Sequence, residues 1–239
     1  MLSIHTKIIC HTATNAQRTE YMKLALLSDP NTENGQAAIN ALLQSLVSIK
    51  SQSPLKVGYI ASQPDPQREY FQQTKMLYKT CGAELSVYLE LEAGFSQHAL
   101  DQLLDCDAIQ LSGGDTYRFL KALKSRKLLP VLRQYAINGG ALVGVSAGAM
   151  IMTPSIASAS LCGDINNCEL EDLNALNLVD FLFAPHIELH VSQEQPLSEP
   201  FQQQLARFSQ QICLCPDDAA LLSIDKELKQ LGQCHWHLL

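Results

Sequence analysis

The feature that most constrains the fold is a recurrence of short, almost wholly apolar runs separated by longer amphipathic ones. Lys23–Leu27 (KLALL), Lys56–Ile60 (KVGYI), Leu85–Leu89, Ala108–Leu111 (AIQL) and Ala141–Val145 (ALVGV) form the series. Apolar runs this short, with little polar alternation, read as strands buried on both faces, which belong to parallel sheets covered by helices. The segments between them carry helical signals. Ala38, Leu42, Leu43 and Leu46 recur at helical spacing within Gly35–Val47. Pro66–Thr80 has Asp65 as its N-cap, Pro66 at its first position and Gly82 beyond its end. Ser96–Leu104 opens on a serine cap, Thr116–Lys124 follows a glycine turn, and Leu129–Asn138 stops at Gly139-Gly140. Strand and helix alternating at this spacing predict a doubly wound, mostly parallel α/β sheet sandwiched by helices, flavodoxin-like in its layering. Right-handed crossovers then bring the strand C-termini to one edge, where such sheets bind ligands. Phe181–Ala184, Ile212–Leu214 and Ala220–Ile224 read as later strands.

Residues 22–239 read as a single domain. MKLALLSDP opens directly on a strand, so the polar, aperiodic residues 1–21 are expected to be an extension or a misassigned start, outside the core. With 239 residues, 46% hydrophobic and 17% charged, the chain can bury a large core. A net charge of −7 without a basic cluster argues against nucleic acid as a partner. No run of apolar residues is long enough for a membrane span and no apolar leader opens the chain, so a cytoplasmic location is expected. The eight cysteines are spread through strand-like segments and read as reduced thiols. Neither their spacing nor that of the histidines suggests a metal, and no cofactor is expected.

The candidate chemistry begins at GVSAG, residues 144–148. Here Ala141–Val145 runs into Ser146, and Ala147–Met152 continues as a helix that Pro154 stops. A strand-to-helix turn this sharp needs small neighbours, and it presents its hydroxyl at the sheet edge under the positive end of the following helix. A packing turn of small residues would read the same way, so the neighbours decide. Ser112-Gly113-Gly114-Asp115 follows the preceding strand and should lie beside the elbow. The backbone N–H of Gly114 or Gly113, with that of Ala147, could bind an oxyanion, while Asp115 caps the next helix. Of seven histidines, His186 stands out, because the apolar run Val179–Ala184 and Pro185 deliver it at a strand end; His190 is the weaker candidate.

KLALLSDP, the SGGDT–YRFLKAL segment, GALVGVSAGA and the APH segment occur in the order and spacing of the dipeptidase E family, which the chain resembles over roughly residues 22–225. That family comprises serine peptidases on a class I glutamine amidotransferase-like fold and includes aspartyl dipeptidases and cyanophycinases. The resemblance implies Ser146 as nucleophile, His186 as general base and acid, and Gly114 with Ala147 as oxyanion hole. It implies hydrolysis of short peptides through an acyl-enzyme, with a small peptide as partner; a monomer and a homodimer both remain open. An amidotransferase-like amide hydrolase and a non-catalytic binding module on the same fold are the alternatives.

Two positions depart from the family's pattern. Its aspartyl dipeptidases carry an aspartate about fifteen residues after the nucleophile; here that position is Leu161, and the nearest carboxylate is Asp164. Glu188, in a His-x-Glu arrangement like that of class I glutamine amidotransferases, is the alternative acid. The aspartate-specific members also resemble one another in an arginine before the helix that follows the histidine. The stretch QEQPLSEPFQQQLARF has no basic residue until Arg207, so strict aspartyl-dipeptide specificity is not expected.

Overall fold

The computed structural model describes residues 22–47, 54–187, 197–225 and 227–237. The expected extension, residues 1–21, lies outside them, as do Glu188 and His190. A seven-stranded sheet forms the centre, built from β1 (Lys23–Leu27), β2 (Leu55–Ile60), β3 (Ala83–Leu89), β4 (Ala108–Leu111), β5 (Ala141–Val145), β8 (Ala220–Ile224) and β9 (Glu227–Leu231). Its order is β3-β2-β4-β5-β1-β8-β9. The first five strands run parallel, and β8 and β9 close one side antiparallel. This is the doubly wound, mostly parallel sheet that the alternation of strands and helices predicts.

The period-two alternation of side chains divides the core between two faces. On one face Ala25, Leu27, Val143 and Val145 pack against α1 (Glu33–Val47) and α2 (Glu69–Thr80). On the other, Leu24, Leu26 and Leu142 meet α3 (Gln97–Leu104), α4 (Thr116–Ser125), α5 (Leu128–Ile137) and α6 (Ala147–Met152). Caps fix the helix starts: Ser96 accepts from the Ala99 N–H at 3.3 Å and Asp115 from the Arg118 N–H at 2.9 Å. At α2 the expected start moves from Pro66 to Glu69. Arg68 adopts φ 55°, and the Asp65 carboxylate reaches past it to accept from the N–H groups of Glu69 and Tyr70.

Sequence periodicity does not reveal a second sheet. β6 (Leu182–Pro185) pairs parallel with β7 (Ile212–Cys215), and β10 (His235–His237) pairs antiparallel with β7. One face of this sheet contributes Phe183, Cys213 and Cys215 to the core beneath α6. Its other face packs Leu182, Ala184 and Leu214 against a 3-10 helix (Ile156–Cys162) and α7 (Glu199–Leu205). The two sheets therefore share one apolar core, and both bring strand ends to the edge where Ser146 lies.

Candidate active site

Ser146 follows β5 with φ 51° and ψ −110°, a strained backbone for a residue other than glycine. The turn closes because its flanking glycines leave no room for a side chain. A Cβ on Gly144 would sit 2.6 Å from the Ala149 Cα, and one on Gly148 would sit 2.2 Å from the Leu111 carbonyl oxygen. The Ser146 N–H donates to the Leu27 carbonyl at 2.8 Å, and that of Gly148 to Ser112 at 3.1 Å, which registers the elbow against β1 and the β4 turn.

The Ser146 hydroxyl lies 2.9 Å from Nε2 of His186. His186 follows β6 and also has positive φ, 59°. Its Nδ1 is hydrogen-bonded to the carboxylate of Asp217, which follows β7 and Pro216. Hydroxyl, imidazole and carboxylate thus form one continuous chain, delivered by the C-terminal ends of β5, β6 and β7. The side chains of His186 and Asp217 are roughly half exposed, so the chain is open to solvent.

The carboxylate on His186 is not Asp164, the residue favoured from the sequence. Asp164 accepts from the Thr116 hydroxyl at 2.5 Å. Burial raises its carboxyl above the ordinary range, while the Thr116 bond and the nearby His186 charge work in the opposite direction. Asp164 therefore stands near the imidazole without bonding it. The physical reason is topological: parallel pairing of β6 with β7 carries the 216–218 turn to the histidine, whereas Asp164 follows the 3-10 helix and is held against α4. A signal for Asp217 does exist in the sequence. ICLCPD repeats the pattern of FLFAPH, an apolar strand, a proline and then a polar residue.

The glycine turn lies where its sequence position suggests. Gly113 approaches Ser146 so closely that a Cβ there would touch the serine Cβ at 3.5 Å. Ser62, after β2, donates its hydroxyl to the Gly113 carbonyl at 2.6 Å and receives support from Ser112, whose Oγ accepts its N–H at 2.8 Å. Because a peptide's carbonyl and N–H point opposite ways, this bond turns the Gly114 N–H away from Ser62. Gly114 has φ 133°, and a Cβ would lie 2.3 Å from the Ser62 Oγ, so the position accepts only glycine. Ala147 is the first residue of α6, and its N–H has no intrahelical acceptor.

A cavity of about 340 Å³ opens beside His186 and is lined by Ser160, Leu161, Cys162, Phe201 and Gln204 among others. No lysine or arginine is among its described lining residues. Burial pushes the Cys162 thiol up to about 12, so it stays neutral at physiological pH and does not compete as a nucleophile. Among the described residues, no group of three or more His, Cys, Asp or Glu could hold a metal ion together, and no helix is long and apolar enough to cross a membrane.

Comparison with known proteins agrees with this architecture. The crystal structure of a candidate peptidase E from Listeria monocytogenes superposes with a TM-score of 0.66 at 22% identity, covering 88% of this chain and 98% of that one. A peptidase from an acI-B1 actinobacterium superposes at 0.57 with 16% identity, covering 92% and 99%. In sequence, an uncharacterized peptidase of Pasteurella multocida is 33% identical over 99 residues, 41% of this chain and 48% of that protein. Peptidase E of a Nostoc species is 26% identical over 166 residues, 69% and 65% of the two chains. The matched stretches thus span between about half and two thirds of these relatives. The profile of Peptidase family S51 matches residues 24–231, from within β1 to the end of β9, and the chain belongs to that family.

Proposed function

We propose that the protein is a serine peptidase that hydrolyses short peptides through an acyl-enzyme on Ser146. The observation that carries this reading is the unbroken hydrogen-bond chain from Ser146 through His186 to Asp217 at a strained elbow. In the proposed reaction, Nε2 of His186 takes the hydroxyl proton as Oγ attacks the peptide carbonyl carbon. Asp217 accepts from Nδ1–H, fixes the tautomer and stabilises the imidazolium that forms. The N–H groups of Ala147 and Gly114 bind the developing oxyanion. His186 then gives its proton to the leaving amine, and water repeats the sequence to release the acid.

An opening of this size at a sheet edge suits dipeptides or other short peptides better than folded chains. The absence of lysine and arginine among its described lining residues supports preference for a neutral side chain, because a buried substrate carboxylate is costly without a cationic partner. Treatment with a fluorophosphonate probe and a dipeptide panel tests the reading. Ser146 should be labelled, neutral dipeptides should be cleaved ahead of aspartyl ones, and Ser146→Ala and His186→Ala should abolish both signals. An unlabelled Ser146 with no cleavage would sink it.

A further inference from the structure

Ser28 follows β1 and is 1% exposed, yet none of the chemistry above employs its side chain. Its hydroxyl donates to the Cys215 carbonyl at 2.9 Å and accepts the His186 backbone N–H at 3.3 Å. One buried oxygen thus joins the ends of β6 and β7, just where they turn into the histidine and, two residues on, the aspartate. The residue before it, Leu27, accepts the Ser146 N–H at 2.8 Å. Leu27 and Ser28 are therefore consecutive residues that tie the end of β5 on one side and the ends of β6 and β7 on the other. Because Ser146 rides on the seven-stranded sheet and its two partners on the three-stranded one, this is where their relative position is fixed.

We propose that Ser28 is a positioning residue that sets His186 and Asp217 against Ser146, an inference that rests on the reading of Ser146 as a nucleophile. His186 is held at positive φ, and its N–H bond to Ser28 restrains that backbone. The Asp217 turn has other anchors: the Thr32 hydroxyl donates to the Asp217 carbonyl at 3.3 Å, and the Asn34 amide to that of Asp218 at 3.1 Å. The histidine turn is also tied to Cys215 by the Ile187 N–H, which donates to the same carbonyl at 3.4 Å; Ser28 is the side chain bonded to both turns, so its loss should loosen their mutual geometry while leaving the fold intact. Of the two nearby carboxylates, Asp217 contacts His186 and Asp164 does not.

The test is the rate of fluorophosphonate labelling of Ser146 at neutral pH, which requires no knowledge of the natural substrate. Ser28→Ala should lower the labelling rate by about tenfold or more, since small misplacements of catalytic groups cost this much. Ser28→Thr retains the hydroxyl and should label within about threefold of the wild type. A wild type that does not label overturns the nucleophile reading and this inference with it. A labelled wild type with Ser28→Ala unchanged overturns this inference alone. So would equal losses in both variants, which would assign the effect to packing.

Discussion

Hydrogen bonding gives the two nearby carboxylates different work, and their substitutions should separate accordingly. Asp217→Asn leaves the shape of the site but presents the imidazole with the wrong partner; peptide hydrolysis should fall on the order of 10³–10⁴-fold in kcat. Asp164→Asn should change kcat by less than about tenfold, and the reverse ranking would return the role of acid to Asp164. Stability supplies a second contrast. Burial raises the Asp164 carboxyl, so the folded state favours its protonated form. Its contribution is present below the ordinary aspartate range and is lost as pH rises through the raised value. Asp164→Asn should therefore gain melting temperature at pH 7, by no more than about 2 °C, and gain nothing at pH 3. A loss at pH 7 would mean that nearby cations hold the carboxylate after all. Ser146 and His186 stand out in the sequence because each ends an apolar run in a distinctive local setting. Asp217 ends a similar run, but what matters about it is the pairing of β6 with β7, thirty residues apart in chain order by any local reading. A carboxylate whose role depends on a long-range contact leaves no periodic trace.

Among the elements, the parallel strands and the helices between them follow directly from periodicity and caps, and observed boundaries differ from expectation by only a few residues. The larger shift, at α2, comes from Arg68 entering the left-handed region, which turn-forming residues in the sequence do not announce. Positive φ at a non-glycine residue means different things in different elements. Lys127 joins α4 to α5 with φ 57° and ψ 34°, far from any candidate site residue in the chain order. Lys127→Gly should relieve that strain and, after the added entropy of the unfolded chain, stabilise by up to about 1 kcal/mol in urea unfolding. No gain would show that the turn costs the lysine little. The elbow is tighter still. At Gly148 an added methyl would meet the backbone of Leu111 rather than a flexible side chain. Gly148→Ala should cost on the order of 2–3 kcal/mol, a fall of about 5–10 °C in melting temperature, with labelling of Ser146 impaired in the protein that remains folded. Retention of wild-type stability would mean that strand and helix can separate without penalty.

For the whole molecule, the question is whether the small sheet that carries His186 and Asp217 is an independent unit. Its late strands were partly legible, but β10 was not: three residues of HWH offer too short a pattern to distinguish a strand from a tail, and their place depends on pairing with β7. The packing argues for a single cooperative body. Phe183, Cys213, Cys215 and Cys234 lie in the same core as Leu24, Leu26 and Leu142 of the large sheet. A buried hydroxyl adds to that join, since Ser28 at the end of β1 donates to the Cys215 carbonyl of β7 at 2.9 Å. The chain also supplies a natural reporter. Its single tryptophan, Trp236, sits on β10 and packs edge-on against Phe181 with ring centres 5.0 Å apart. Tryptophan fluorescence therefore reads the small sheet, while far-UV ellipticity reads chiefly the helices around the large one. If the shared core unites them, urea transitions followed by the two signals should coincide in midpoint and slope. A fluorescence midpoint at clearly lower urea would mean that the small sheet opens first, taking His186 and Asp217 away from a Ser146 still held in place. Coincidence would instead make the alignment of Ser146, His186 and Asp217 a property of the whole fold, lost only when the fold itself is lost.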